Sequence, residues 1–379
     1  MANLNDYMLW RGDLTLAVSP WNLIDSLAMA SLSYNPFSDK IADSRGMTLA
    51  EIVPHLGLEK LDGNVYFKQW RQLAFDMADS DRFGQMRMHD YVDVVDEQTE
   101  MQFSAISADL SDGAVFVAYR GTDSTLVGWR EDFNMSFESP VAAQVAAVDY
   151  LERIAAMSNK PIRVSGHSKG GNLAAYAAAC ASPEVQKRIL SVCSFDGPGL
   201  DDSVINSEGY ARIKPVLWSV LPQSSIVGLL MAYHADYTVV RSTAVSILQH
   251  DAFTWQIKGT AFEEMQQVDT SSKIMDETVH EWLKLATVEQ RRIFVDAMFD
   301  IMEATHASTI KEMSSEKFRT AAAMLQATRS MDVETRKMFN HLLGEFIRLG
   351  AGNVWECIYS KAETTVAKRG ALPAVEKHE

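Results

Sequence analysis

The sequence predicts an α/β fold, with a mostly parallel sheet covered by helices on both faces and an all-helical region at its C-terminal end. Strand-like and helix-like segments alternate through the middle of the chain. These segments are, in chain order, 114–119, 141–157, 162–165, 169–180 and 189–195. Strands that alternate with helices at this spacing form parallel sheets with both faces covered. After Trp255 we see no further strand pattern, and residues from about 262 to 365 are rich in helix formers and methionine.

Local sequence patterns predict the other helices, strands and turns. Apolar residues at nearly helical spacing over Trp21–Leu32, followed by Asn35-Pro36, predict a helix near the N-terminus. Ser111-Asp112-Gly113 predicts a hairpin turn, and Thr287-Val288-Glu289-Gln290 is a capping-box pattern that predicts a helix start. The further predicted elements are a helix over 69–77 and strands over 91–95, 102–108, 213–221 and 237–241.

These patterns divide the chain into two parts. We expect residues 1–260 to form the α/β domain, including the N-terminal helices, and residues 261–379 to form a helical subdomain or cap. A length of 379 residues permits either one large domain with additions or two domains. The methionines of the second part are expected mainly in its core, with a lid or an acyl pocket as the alternative.

Composition narrows the classes of function. The 35 basic residues are outnumbered by 50 acidic ones, for a net charge of -15, which disfavours a nucleic-acid partner. Three cysteines cannot form a disulfide framework. The N-terminal residues lack the pattern of a signal peptide, and the most apolar run, 226–233, is far shorter than the roughly 20 residues of a membrane span. We therefore expect a cytoplasmic protein without an integral membrane segment.

The strongest chemical signal is the pentapeptide Gly166-His167-Ser168-Lys169-Gly170. It lies between a predicted strand and an alanine-rich predicted helix. A nucleophile elbow needs this order of elements, and it needs small residues beside the serine because the backbone turns sharply there. Ser168 is therefore the candidate nucleophile; the alternative is a glycine turn without a ligand.

A nucleophilic serine requires a base and an acid, which follow it in the chain in elbow architectures. His250 follows the last strand pattern and is the preferred base, with His234 as the alternative. Asp196 ends a predicted strand and precedes a tight Gly-Pro-Gly loop, so it is the preferred acid. The competing acids are Asp236 and Asp251, with Asp201 and Asp202 close to Asp196 in the chain.

An oxyanion hole needs two backbone donors at fixed positions. One is expected to be the N–H of Lys169, directly after the nucleophile. The other is expected from Thr122, in the segment Tyr119-Arg120-Gly121-Thr122-Asp123 that follows a predicted strand. The Thr122 hydroxyl could stabilise the oxyanion as well.

These segments resemble a known family. Residues 119–123 with Gly128-Trp129-Arg130-Glu131-Asp132 look like the oxyanion strand and following segment of class 3 lipases, and 166–174 looks like their elbow. A closer resemblance is to an uncharacterised bacterial family of lipase-like α/β hydrolases. It rests on residues 166–174, 195–199, 222–228 and 249–251 and covers roughly residues 20 to 260. The resemblance implies an α/β-hydrolase fold and a serine hydrolase triad.

One position departs from the class 3 pattern. The acid of those lipases is expected in the segment Ser224-Ser225-Ile226-Val227, and serine stands there instead. Either Asp196, one strand earlier, has taken the role of the acid, or the triad is incomplete.

The resulting hypothesis is a serine hydrolase that cleaves an acyl ester through an acyl-enzyme, using Ser168, His250 and Asp196. Its substrate would be a small acyl ester or a lipid. The alternatives are a catalytically silent lipase-like binding module, and a thioesterase or peptidase with the same triad. No cofactor is expected, and no residue cluster has the spacing of a metal site.

Overall fold

A computed structural model describes residues 2–37, 46–60, 65–123, 125–135, 137–229, 237–303, 331–345 and 347–349. Its strands are β1 (Met47–Thr48), β2 (Arg87–Asp96), β3 (Met101–Asp109), β4 (Val115–Tyr119), β5 (Ile162–His167), β6 (Ile189–Phe195), β7 (Leu217–Pro222), β8 (Tyr237–Val240), β9 (Ile257–Lys258), β10 (Ala261–Phe262) and β11 (Glu264–Met265).

Nine of these strands form one sheet in the order β1-β2-β3-β4-β5-β6-β7-β8-β11. The five strands from β4 to β8 are parallel to one another. The pairs at both edges, β1 to β4 and β8 with β11, are antiparallel. The carboxyl ends of the parallel strands therefore lie along one edge of the sheet, where α/β folds place their functional residues.

Helices cover both faces of the sheet. They are α1 (Leu4–Arg11), α2 (Leu23–Leu32), α3 (Leu49–Ile52), α4 (Val65–Ala78), α5 (Leu126–Asn134), α6 (Ala142–Met157), α7 (Lys169–Cys180), α8 (Pro183–Gln186), α9 (Asp202–Ile205), α10 (Glu208–Ile213), α11 (Thr270–Leu285) and α12 (Val288–Glu303). Helices α1, α2 and α4 pack on one face, and α6, α7 and α10 pack on the other.

The alternation of side chains along β4 shows how the two cores form. Phe116 lies in the core beneath α2 and α4, whereas its neighbour Val117 lies in the core beneath α6 and α7. Successive side chains of a strand point to opposite faces, so a strand buried on both sides is apolar throughout. This arrangement, with the turn of Ser168 between β5 and α7, confirms the α/β-hydrolase fold predicted from the sequence.

Two expectations about strands were wrong. Strand β7 begins at Leu217 and not at Ile213, because Ile213 ends α10 and Pro215 lies in a turn of 3-10 helix. Proline has no backbone N–H to donate to a neighbouring strand. Strands also occur after Trp255, namely β9, β10 and β11. Each is two residues long, too short for alternation of apolar and polar residues to show in the sequence.

The C-terminal part contacts the sheet and helix α5. Strand β11 pairs with β8 at the sheet edge, so the sheet extends past residue 260. Helix α12 packs on α5, where Arg130 forms a 2.8 Å ion pair with Asp296 and the rings of Phe133 and Phe299 lie 5.9 Å apart. The division of the chain at residue 260 stays a prediction. None of the helices in the described ranges has the length and apolar character needed to cross a membrane.

A buried ion pair holds the N-terminal segment against the turn after α4. The Arg82 guanidinium donates to both carboxylate oxygens of Asp25, at 2.7 and 2.5 Å, and neither side chain is exposed. It also donates to the carbonyls of Leu14 and Ser19, both at 2.9 Å. The planar guanidinium suits this arrangement because its N–H groups point in fixed, divergent directions.

We predict that Arg82→Met lowers the free energy of unfolding by about 3–5 kcal/mol, because it leaves the Asp25 carboxylate buried without a cation. Urea unfolding followed by circular dichroism measures this change. Lys160→Met is the control, since it removes a half-exposed ion pair with Asp109 and should cost less than about 1 kcal/mol. Equal losses of unfolding free energy in the two variants would contradict a special contribution of the buried Arg82–Asp25 pair to stability.

Candidate functional site

Ser168 occupies a strained turn between β5 and α7. Its φ of 59° lies in the left-handed region, which is unfavourable for a residue with a side chain. Its N–H donates to the carbonyl of Phe195 at 2.9 Å. The turn tolerates no side chain at its glycines: a Cβ on Gly166 would lie 2.0 Å from the carbonyl oxygen of Gly170, and one on Gly170 would lie 2.2 Å from that of Tyr119. The glycines therefore permit the geometry that exposes a serine at the sheet edge.

Asp196 and His250 are joined at the same edge of the sheet. The Nδ1 atom of His250 lies 2.6 Å from Oδ2 of Asp196. Asp196 directly follows β6, is 1% exposed, and has a left-handed φ of 47°. Its N–H donates to the carbonyl of Val220 at 2.8 Å, which ties this turn to the neighbouring strand β7. The His250 side chain is about a quarter exposed, whereas the Asp196 side chain that it contacts is buried.

The second oxygen of the Asp196 carboxylate is bound by the loop after β7. Ser225 Oγ donates to Oδ1 at 2.5 Å, and the N–H of Gly228 donates to it at 3.2 Å. A Cβ on Gly228 would lie 2.4 Å from this oxygen, so the close approach requires glycine. Ser225, which stands where the class 3 resemblance places an aspartate, is thus a hydrogen-bond donor to the carboxylate that contacts His250.

The other candidate acids have different surroundings or cannot be placed. Asp251 accepts a hydrogen bond from the N–H of Phe253 at 3.0 Å and caps a short 3-10 helix. Asp201 caps α9 through the N–H of Ser203. His234 and Asp236 lie outside the described residues.

The segment after β4 lies against the serine. A Cβ on Gly121 would be 3.0 Å from Cβ of Ser168 and 2.6 Å from the carbonyl oxygen of His167, so the chain passes beside Ser168 here. Thr122 follows, and its hydroxyl donates to the carboxylate of Asp132 on α5. Lys169 is the first residue of α7, where helical N–H groups have no partner within the helix. Lys169 therefore directly follows Ser168 in the chain, and Gly121, the residue before Thr122, lies beside Ser168 in space.

Two residues near His250 were not foreseen as site residues. His167, within the elbow, has Nε2 2.7 Å from the carbonyl oxygen of His250 and therefore donates to it. Its Nδ1 lies 3.1 Å from the hydroxyl of Tyr34, which donates to this nitrogen. The rings of His167 and His250 lie 4.6 Å apart. Because 133 residues separate Tyr34 from His167, no local pattern in the sequence signals this contact.

Lys169 and Glu131 form a second feature that the sequence did not reveal. Lys169 Nζ donates to Glu131 Oε2 at 2.9 Å and to the carbonyl of Gln102 at 2.7 Å, and the two side chains are 0% and 2% exposed. The neighbouring Asp132 has a pKa raised to about 6 by burial, against the opposing effects of Lys169 and Thr122. Two consecutive acidic residues of α5, Glu131 and Asp132, therefore bind the side chains of Lys169 and Thr122. Among the residues that the structure describes, no group of three or more His, Cys, Asp or Glu could hold a metal ion.

The titration of His167 makes a testable contribution to stability. Burial, and next the charge of His250, lower the pKa of His167 from 6.5 to about 3. In the unfolded chain, the His167 imidazole therefore takes up a proton below about pH 6.5. In the folded protein it does so only near pH 3. The free energy of unfolding decreases as the pH falls from about 6.5 to about 3.

We predict that His167→Gln removes this acid sensitivity. Unfolding in urea at several values between about pH 7 and about pH 4.5 gives the difference in free energy between wild type and variant. The advantage of the wild type should shrink steadily as the pH falls below about 6.5. A difference that is the same at every pH would contradict the assignment of a neutral, buried His167.

Comparisons with known proteins extend this description. Among solved structures, the chain is similar to the Rhizomucor miehei lipase propeptide complex, with 13% identity over 63% of this chain and 80% of that chain and a TM-score of 0.37. It is also similar to a mutant form of MDLA from Penicillium cyclopium, with 12% identity over 71% and 89% and a TM-score of 0.39. A triacylglycerol lipase from Penicillium expansum gives 12% identity over 48% and 82% and a TM-score of 0.30.

The family assignment comes from the sequence itself. No curated protein matches the chain significantly. Residues 77–300, however, match the Mbeg1-like family. This region is more than half of the chain, and it includes the strands β4 to β8, the turn of Ser168 and the segment of His250. The chain belongs to the Mbeg1-like family.

Proposed function

We propose that this protein is a serine hydrolase that cleaves an acyl ester through an acyl-enzyme. The observation that carries the proposal is the 2.6 Å contact between His250 and the buried Asp196, at the same sheet edge as the strained turn of Ser168. A serine hydroxyl is a weak nucleophile at neutral pH and needs a base, which in turn needs a group that orients it. These three residues supply the three roles.

In the proposed reaction, His250 acts through Nε2, because Nδ1 carries the proton that it shares with Asp196. Nε2 takes the proton of the Ser168 hydroxyl as Oγ attacks the acyl carbonyl carbon. The tetrahedral intermediate collapses when His250 returns this proton to the oxygen of the leaving alcohol. Water, deprotonated by the same nitrogen, then attacks the acyl-enzyme. His250 returns this proton to Ser168 Oγ as the bond between Oγ and the acyl carbon breaks, which releases the acid and restores the serine.

Asp196 holds His250 in the required tautomer and stabilises the imidazolium that forms during each step. Its other oxygen accepts hydrogen bonds from two donors, Ser225 and the N–H of Gly228. These donors fix the orientation of the carboxylate, so that Oδ2 stays directed at the imidazole.

The backbone N–H groups of Thr122 and Lys169 are proposed as the oxyanion hole. Lys169 lies at the N-terminus of α7, where the positive end of the helix dipole favours a developing negative charge. Donors that are fixed before the reaction contribute because they need not reorient when the charge forms. The substrate would be a small acyl ester or a lipid, and the net charge of -15 favours a substrate that is not on an anionic membrane surface.

The first experiment compares labelling and turnover in four proteins. A fluorophosphonate probe should label the wild type at Ser168 and should not label Ser168→Ala. In p-nitrophenyl ester hydrolysis, Asp196→Asn should lower kcat by about 10²–10⁴-fold because it allows the wrong tautomer of His250. Asp251→Asn is the matched control, since Asp251 caps its own turn, and its kcat should stay within about threefold of the wild type.

Several outcomes would contradict the proposal. Equal labelling of Ser168→Ala and wild type would show that the probe reacts elsewhere. An unlabelled wild type would favour a catalytically silent binding module. Labelling of Ser168 with turnover of an acyl thioester or a peptide, and not of any p-nitrophenyl ester, would move the assignment to another acyl group.

A further inference from the structure

We infer that the buried Glu131–Lys169 ion pair is a positioning device for the oxyanion hole. It holds helix α5 against the elbow so that the N–H groups of Thr122 and Lys169 keep a fixed separation. This inference rests on the proposed serine hydrolase, and it adds two side-chain roles that the triad does not include.

The pair is enclosed and its polar groups are satisfied. Lys169 is the residue after the nucleophile, yet its side chain is fully buried and points away from solvent. Its Nζ has two acceptors, Glu131 Oε2 at 2.9 Å and the carbonyl oxygen of Gln102 at 2.7 Å. A buried ammonium group is costly unless it is paired and hydrogen-bonded, and this one is both.

Glu131 connects α5 to three other elements. Its Oε2 accepts from Lys169 of α7 and from the N–H of Gln102 on β3, at 2.9 Å each. Its Oε1 accepts from the N–H of Ala143 on α6 at 2.8 Å. Because the carboxylate is nearly fully buried and bound from three directions, α5 cannot shift relative to the elbow without breaking charge-assisted hydrogen bonds.

The next residue of α5 binds the other side of the oxyanion hole. Asp132 accepts a hydrogen bond from the hydroxyl of Thr122. Glu131 and Asp132 are consecutive residues of α5. Glu131 binds the side chain of Lys169, and Asp132 binds that of Thr122. The N–H groups of Lys169 and Thr122 are the two donors proposed to stabilise the oxyanion. These two contacts join α5 to the segment after β4 and to the start of α7, so its position sets the distance between the two donors.

The energetics favour a role in geometry over a role in stability. A buried ion pair often contributes no more to stability than apolar residues of the same volume, because both charges lose their hydration. The pair instead fixes the position of α5 relative to α7, since its hydrogen bonds are satisfied in only one arrangement of these two helices. On its outer side, α5 is held by the 2.8 Å ion pair between Arg130 and Asp296 of α12.

The experiment removes both charges together with Lys169→Met and Glu131→Gln in one protein. Neither charge is then left unpaired, and the introduced glutamine side chain keeps an oxygen that can accept from a backbone N–H. With fluorophosphonate titration to count active sites, kcat for a p-nitrophenyl ester should fall about 10- to 100-fold, while KM should change less than about threefold. Hydrogen exchange should become faster at the N–H groups of Gln102 and Ala143, which donate to Glu131 in the wild type and so report how firmly α5 is held.

The matched control makes the same kinds of change at the other end of β3. Lys160→Met with Asp109→Asn removes a half-exposed pair, and it should alter neither kcat nor exchange at Gln102 and Ala143. Lys169→Gln with Glu131→Gln also leaves no buried charge unpaired, and it keeps a hydrogen-bonding side chain at both positions; it should change kcat and exchange in the same direction, to a smaller extent. It replaces the first double variant if that protein does not fold.

The two proposals can fail separately. Unchanged kcat and unchanged exchange in the folded double variant would overturn the positioning role and leave the hydrolase proposal intact. A wild type that neither reacts with the probe nor hydrolyses any ester would overturn the hydrolase proposal. In that case the exchange at Gln102 and Ala143 decides whether the pair holds α5 in place.

Discussion

A carboxylate that is almost fully buried needs hydrogen-bond donors, and in this protein that requirement organises the candidate site. Burying an unpaired charge costs several kcal/mol. Asp196 meets the requirement with Ser225 and Gly228 on one oxygen and His250 on the other. These donors come from the loop after β7 and from the segment after β8, so one carboxylate at the end of β6 fixes how two later segments pack. The strained turn of Ser168 contacts the same strand end, through its hydrogen bond to Phe195.

The position of Asp196 shows how the carboxylate that contacts His250 can come from a different strand and reach the same place at the sheet edge. In parallel sheets, the carboxyl ends of adjacent strands lie close together, so an acid can come from either of two neighbouring strands. Here the aspartate follows β6, while the loop after β7 supplies a serine that donates to it. Ser225 therefore has a physical reason to be present at a position where the class 3 pattern has aspartate. A lost acid would have left His250 without a carboxylate partner, and the structure has one at 2.6 Å.

Features set by local chemistry were predictable from the sequence. Helix α7 and strand β6 have the predicted bounds, 169–180 and 189–195, because alanine repeats and β-branched runs are local signals. The two-residue strands after Trp255 carry no such signal and were missed. Contacts between distant segments, such as Tyr34 with His167 and Glu131 with Lys169, could not be predicted, because each depends on how separate helices pack on the sheet. The sequence predicts only a backbone role for Lys169, as an oxyanion donor. It gives no signal that the Lys169 side chain forms a buried ion pair with Glu131.

The central claim is that Ser168, His250 and two backbone N–H groups act on one acyl centre. A crystal structure of the protein after reaction with a fluorophosphonate tests it most directly, because the phosphonyl group occupies the place of the tetrahedral intermediate. The claim predicts phosphorus bonded to Ser168 Oγ, and the phosphonyl oxygen within hydrogen-bond distance of the N–H groups of Thr122 and Lys169, with His250 still bound to Asp196. A phosphonyl oxygen that points to solvent, or phosphorus bonded to another residue, would contradict it.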